Sequence, residues 1–333
     1  MRRIGALLGV IVWLSSAAAW AADDDPVTFD LVKWQSWLGE VRVEAASKGI
    51  RPTIVDDALT GLDPIPRVIE LDRRQPEFTL TFDQYVTRVA SAARAQKGRQ
   101  LLAENKALLD AVGQKIGVQP RFVVALWGIE TDFGRLTGGF NVVNALATLA
   151  FDGRRSAYFR KELFNALQIL NEGHIDAKSM TGSWAGAMGQ AQFMPSSFVN
   201  FAIDYDNDGR RDIWTTPADV FGSAANYLKQ VGWKDDETWG REVRLPADFD
   251  ATLAESKAIK RTADWQALGV RNLDGSSLPA RQLNAQIVIP DGPDRPGGRA
   301  FMVYDNFQAT LRWNRSNYFA LAVGLLSDRI GAN

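Results

Sequence analysis

The chain has 333 residues, 46% of them hydrophobic and 23% charged, enough to bury one large core or two smaller ones. That composition excludes an intrinsically disordered chain, and 38 basic against 39 acidic residues, a formal net charge of −1, offer no electrostatic case for nucleic acid or an anionic membrane surface. With no cysteine and one histidine, disulfides and a lipid-modified cysteine are excluded, and a zinc site lacks its usual ligands.

Met1, Arg2 and Arg3 make a basic start, Ile4 to Leu14 an apolar run, and Ala17 to Ala22 a small-residue end before Asp23, Asp24 and Asp25. This is the layout of a secretory signal peptide over residues 1–22, with cleavage after Ala21 or Ala22. A retained anchor is the weaker alternative, because the apolar run is shorter than the roughly 20 residues of a spanning helix. Export without cysteine fits a soluble protein of the Gram-negative periplasm.

From Phe29 to Gly49 the apolar residues Leu31, Val32, Trp34, Trp37, Leu38, Val41 and Val43 recur at helical spacing, and Gly49 ends the run. A short helix is expected at Thr53 to Leu59, and Pro64 and Pro66 open a connector to about Pro76. After Thr81, Phe82 and Asp83, a helix carrying Tyr85, Val86 and Val89 leads into an alanine-rich segment through Leu109. Taken alone, Tyr85 reads as a core residue.

The segment Pro120 to Glu130 is the strongest helix of the chain. A first-turn proline opens it, and Phe122, Val123, Val124, Ala125, Leu126, Trp127 and Ile129 leave no polar face, so it must be buried almost all round. Glu130 closes that run. A carboxyl group there meets desolvation and the negative end of the helix dipole, and both favour the protonated form that a general acid needs. The alternative is a structural glutamate paired with Arg135. Asp132 is the only other acid nearby in sequence and reads as a cap; as a second catalytic carboxylate it would make the enzyme a hydrolase.

Residues 182–198 read G-S-W-A-G-A-M-G-Q-A-Q-F-M-P-S-S-F, small residues around Ser183, Gln190 and Gln192. Such a run admits close backbone approach to a ligand, and the two amides offer donors and acceptors to sugar hydroxyl and acetamido groups. At Asp204 to Asp212, D-Y-D-N-D-G-R-R-D matches the start of a calcium-binding EF-hand loop, with Thr215 where the bidentate glutamate belongs. A solvated acidic turn is the other reading of that stretch. His174, in a polar N-E-G-H-I-D segment, reads as a surface residue.

Beyond Trp233, strands are expected at Glu242 to Pro246, Gln286 to Pro290 and Ala300 to Tyr304, with irregular or short helical pieces at Ala258 to Ala263 and Trp265 to Leu268. The last helix, Tyr318 to Ile330, returns Phe319, Leu321, Ala322, Leu325 and Leu326 to the core.

W-G-I-E-T-D-F-G at 127–134, N-A-L-A-T-L-A-F at 144–151 and the 182–197 block together resemble the membrane-bound lytic murein transglycosylase B family and its soluble relatives. The resemblance covers nearly the whole chain after Phe29. It implies a mainly α (α+β) architecture: a lysozyme-like catalytic core over 116–233 with an EF-hand-like loop at 204–219, preceded by an N-terminal helical part at 23–115. A small β-rich insertion at 234–305 and a C-terminal return at 306–333 complete it.

The resemblance further implies that Glu130 is the sole catalytic acid and base, cutting between N-acetylmuramic acid and N-acetylglucosamine in peptidoglycan with a 1,6-anhydromuramoyl product. Ser183 would orient Glu130, and Tyr85, Gln190, Gln192, Tyr227, Trp313, Asn314, Ser316 and Tyr318 would contact the saccharide. Trp313 stands where relatives commonly have tyrosine. A structural calcium ion would be held by Asp204, Asp206, Asp208, the Arg210 carbonyl and Asp219, with no cofactor needed for catalysis. Peptidoglycan strands are the implied partner, with other cell-wall enzymes as further candidates; no membrane anchor is expected and a monomer is. A hydrolytic muramidase and a non-enzymatic, calcium-dependent murein-binding protein are the rival readings.

Overall fold

The structure, a computed structural model, describes residues 27–73, 80–293 and 298–332, so the expected signal peptide lies outside the described residues. The described residues fall into two units, 27–73 with 130–226 and 80–129 with 227–332. The division passes between Ile129 and Glu130 and between Asn226 and Tyr227, and follows neither expected boundary, at 115 or at 233. The class is mainly α with a five-stranded sheet and a two-stranded one among the described residues, and the mainly α character is as the sequence suggests.

In the unit that contains Glu130, Asp30 caps the helix Leu31–Ser47 by accepting from the N–H groups of Val32 and Lys33 at 3.1 Å. Trp34, Leu38, Val41 and Ala45 form its buried stripe. Leu31, Val32 and Val43, which the sequence pattern groups with that stripe, are exposed, because they fall on the other side of the 3.6-residue turn. Helices Pro52–Leu59 and Pro66–Arg73 follow. The second replaces much of the expected connector: Pro66 is a first-turn proline, where its missing N–H costs nothing, and so starts a helix instead of preventing one. The helices Val142–Asp152 and Ser156–Glu172 are this unit's main packed pair, with Pro195–Phe201 against the latter.

In the other unit, Thr81 and Gln84 form a capping box that opens the helix Phe82–Val89. The alanine-rich segment divides into Ala92–Glu104, capped by Ser91, and Lys106–Ile116. A five-stranded antiparallel sheet runs in the order Lys260–Arg261, Asn284–Val288, Ala300–Val303, Gly240–Arg244, Arg271–Asn272. Its register pairs Gln286 with Val303 and Glu242 with Phe301. The three inner strands match the expected ones, whereas the two edges are two residues long and carry no readable period. Trp265, on the short helix Thr262–Ala267, is fully buried and donates its indole N–H to the Ala285 carbonyl at 3.0 Å. The helix Asn317–Gly331 closes the chain, capped by the Ser316 hydroxyl.

Candidate active site

Glu130 and Thr131 end the helix Pro120–Thr131, and Glu130 is only 7% exposed. The next three residues, Asp132, Phe133 and Gly134, all have left-handed backbones, with φ of 51°, 60° and 81°. For Asp132 and Phe133 that conformation costs about 1 kcal/mol or more each. Local strain therefore follows the glutamate directly.

What holds the strained turn is a second stretch of chain. Thr131 Oγ1 donates to the Gln190 carbonyl at 2.8 Å and accepts from the Gly134 N–H at 3.0 Å. Gln192 Nε2 donates to the Thr137 carbonyl at 3.1 Å, and Phe140–Asn141 pairs antiparallel with Thr181–Gly182. At Gly138, φ is 95° and a Cβ would sit 2.1 Å from the Gly182 carbonyl oxygen. Residues 131–141 are thus stitched along 181–192, and the small residues of the latter allow backbone to meet backbone.

The candidate residues of this unit serve that arrangement to different degrees. Ser183 Oγ accepts from the Ala187 N–H at 3.0 Å, which leaves its own O–H to donate. Gln190 Nε2 donates to the Trp214 carbonyl at 2.9 Å, and its Oε1 would lie 2.3 Å from a Cβ at Gly134, so its amide is fixed within the fold. Gln192 has a left-handed backbone, φ 49°, and its Nε2 also donates to the Gly189 carbonyl at 3.0 Å. Arg135 pairs with Asp132, Nε to Oδ2 at 2.7 Å, and not with Glu130.

In the other unit the aromatic candidates form two groups. Tyr85 lies 5.6 Å from Tyr318 between ring centroids, and Phe82 packs edge-on against Tyr318 at 5.3 Å. Asp291 Oδ1 accepts from both the Tyr318 hydroxyl at 2.6 Å and the Phe82 N–H at 2.8 Å. Tyr227 packs edge-on against Trp313 at 4.7 Å and donates its hydroxyl to the Arg312 carbonyl at 2.6 Å. Burial raises the Tyr227 phenol above its ordinary pKa, against the charges of Arg312 and Arg315. Asn314 is buried and accepts from the Ser316 N–H at 3.0 Å. Ser316 in turn accepts from the Phe319 N–H at 3.3 Å.

The acidic loop brings Asp204, Asp206 and Asp219 together, with one oxygen of each within 4.8 Å of the others. A calcium ion about 2.3 to 2.6 Å from each oxygen fits that spacing, since two such bonds span up to about 5.2 Å. Asp219 is fully buried; it accepts from the N–H groups of Tyr205 at 2.7 Å and Asp212 at 2.6 Å. Burial, with Asp206 and Asp204 adding to it, pushes the Asp219 carboxyl above its ordinary pKa. A buried carboxylate facing two others is a fit for a hard cation. Asp208 stands outside the cluster and accepts from the Arg210 N–H at 2.8 Å, while Asp212 caps the turn at Trp214 and Thr215.

His174 is not the surface residue that its polar neighbours suggest. Its side chain is 10% exposed, its Nδ1 accepts from the Arg211 N–H at 3.1 Å, and its Nε2 lies 3.2 Å from Glu172. Burial first, and then the Arg211 charge, hold it below the ordinary histidine pKa.

A family model described as the transglycosylase SLT domain matches residues 33–328. The chain belongs to this family. It is 34% identical over 229 residues to membrane-bound lytic murein transglycosylase B of Escherichia coli (strain K12), a match covering 67% of this chain and 60% of that relative. The matched stretch thus spans less than two thirds of the relative's length. The crystal structure of SltB3 from Pseudomonas aeruginosa in complex with NAG-NAM-pentapeptide is 41% identical, with a TM-score of 0.87 over 90% of this chain and 80% of that one. Escherichia coli Slt35 in complex with calcium is 27% identical, with a TM-score of 0.75 over 88% and 92%. The resemblance to the lytic murein transglycosylase B family drawn from the three motifs is therefore borne out. Among the described residues, no helix is long and apolar enough to cross a membrane.

Within this SLT domain, sequence reasoning missed Thr131 and Asp291. Thr131 carries a signal only in hindsight, as the polar residue next to Glu130. Asp291 lies in a proline- and glycine-rich turn, and nothing local marks it as the anchor of Tyr318.

Proposed function

We infer that the chain is a lytic transglycosylase of peptidoglycan, with Glu130 as its one acid and base. The observation that carries this reading is the contrast between two neighbouring acids. Glu130 is buried at the end of an apolar helix, whereas the Asp132 carboxylate is committed to an ion pair with Arg135 at 2.7 Å. Hydrolysis by the common two-carboxylate route needs that second group.

In this reading the Glu130 carboxyl gives its proton to the glycosidic oxygen as the C1–O bond of the muramoyl residue breaks. The 2-acetamido oxygen closes on C1 to hold the developing cation. Glu130, now a carboxylate, takes the proton from the C6 hydroxyl as O6 bonds to C1 and the acetamido oxygen leaves. Glu130 ends protonated, as it began, and no water is consumed.

Ser183 orients Glu130 through its free O–H, and Gln190 is a positioning residue whose amide is already engaged by Trp214. Tyr85, Tyr227 and Trp313 supply faces for saccharide rings, Gln192 contacts the sugar, and Asn314, Ser316 and Tyr318 hold the surrounding loop. Asp204, Asp206 and Asp219, with Asp208 and the Arg210 carbonyl, hold a structural calcium ion that takes no part in the chemistry; the spacing of the first three supports this. The protein acts in the periplasm as a monomer.

The test is the mass of the products released from purified murein. Anhydro ends support the transglycosylase; ends heavier by one water assign a hydrolytic muramidase, and no release assigns a binding protein.

A further inference from the structure

Arg312 and Arg315 bracket Trp313 and Asn314, and both are exposed. Most arginines among the described residues have the guanidinium tied to a carboxylate, an amide or a backbone carbonyl, as Arg121 is to Asp328 and Arg299 to Glu242. Neither Arg312 nor Arg315 makes an ion pair or a side-chain hydrogen bond among the described residues. Two uncommitted guanidinium groups within four residues are a local concentration of positive charge in a chain whose net charge is −1.

Their surroundings are fixed. The Tyr227 hydroxyl clamps the Arg312 carbonyl at 2.6 Å, and Asn314 and Ser316 close the turn that carries Arg315. Arg312 is thus tied through its carbonyl to the Tyr227 ring that packs edge-on against Trp313 at 4.7 Å, and Arg315 follows two residues after that tryptophan. The pair is therefore held beside an aromatic corner suited to a sugar ring.

The backbone of an N-acetylated glycan carries no charge. The carboxylates of a murein strand lie on the lactyl ether of the muramoyl residue, as the lactyl carboxylate itself in a denuded strand or as carboxylates of the stem peptide in a substituted one. We propose that Arg312 and Arg315 form a carboxylate-binding subsite beside Trp313 that selects glycan bearing a charged lactyl or stem-peptide arm. This rests on the transglycosylase reading and adds a determinant of substrate choice to it. Guanidinium groups match carboxylates in geometry, and each such contact contributes through a charge-assisted hydrogen bond.

Binding is measured in the Glu130→Gln chain, to prevent turnover, with Arg312→Gln, Arg315→Gln, the double substitution and Arg312→Lys/Arg315→Lys. Three probes are titrated: hexameric N-acetylglucosamine without any carboxylate, amidase-denuded murein strands, and peptide-bearing strands. The double glutamine variant is expected to bind carboxylate-bearing strands about ten- to a hundredfold more weakly, with the chitohexaose affinity unchanged and the lysine pair intermediate. Loss on the denuded strand alone identifies the lactyl carboxylate, loss on the peptide-bearing strand alone identifies the stem, and loss on both identifies a subsite that takes either. Equal loss on all three probes, or no loss on any, overturns the proposal. Failure of the transglycosylase reading is seen separately, as absence of anhydro products from murein with the wild-type chain.

Discussion

Thr131 hydrogen-bonds the Gln190 carbonyl at 2.8 Å with the same hydroxyl that receives the Gly134 N–H at 3.0 Å. One side chain, 1% exposed, thereby joins the end of the Glu130 helix to both the strained turn and the small-residue loop. Thr131→Val keeps the shape and removes both bonds. It is expected to lower stability by about 1 to 2 kcal/mol, because a partly buried carbonyl and a partly buried N–H each lose a partner. Turnover should fall with little change in KM, and unchanged kcat in a folded variant would remove Thr131 from the positioning of Glu130.

Gly134→Ala tests the turn from the other side. Its φ is 81° and the new Cβ would lie 2.3 Å from Gln190 Oε1, so a destabilisation of about 1 to 3 kcal/mol is expected from strain and contact together. Adding Gln190→Ala removes the contact and leaves the backbone strain. The double variant should therefore be less destabilised than the sum of the two single changes, by thermal or urea denaturation.

Much of this was legible in the chain itself. The apolar run into Glu130 and the D-x-D-x-D-G loop are local patterns, and local patterns survive folding. Val32 and Val43 misled because a periodicity count does not say which side of a helix finds a neighbour. Pro66 misled because a proline can begin a helix as well as break one. Asp291 as the anchor of Tyr318, and the passage of the unit division between Ile129 and Glu130, depend on contacts between residues far apart in sequence, which no window of the sequence contains.

Calcium removal tests the acidic loop. Chelation is expected to lower Tm in the wild-type chain, since a ligand that binds only the folded state stabilises it by mass action. In Asp219→Ala the same treatment should shift Tm little. An unchanged wild-type Tm on chelation would leave the loop as a solvated acidic turn.

His174 gives the chain a pH dependence of definite sign. Its folded pKa is depressed below the ordinary 6.5, so the unfolded chain binds the proton first as pH falls. Its contribution to stability is full above about pH 6.5 and is lost as pH falls from there to the folded value. Between pH 7 and 5, wild type should therefore lose more Tm than His174→Gln. Parallel curves would show that His174 is not held neutral by its burial against Arg211.

The claim that one carboxylate acts twice is tested most directly by the masses of muropeptides released from purified sacculi by wild type and by Glu130→Gln. Wild type should release 1,6-anhydromuramoyl products, lighter by one water than hydrolysis products, and Glu130→Gln should bind sacculi but release none. Products carrying the added water, or release of anhydro ends by Glu130→Gln, would contradict it.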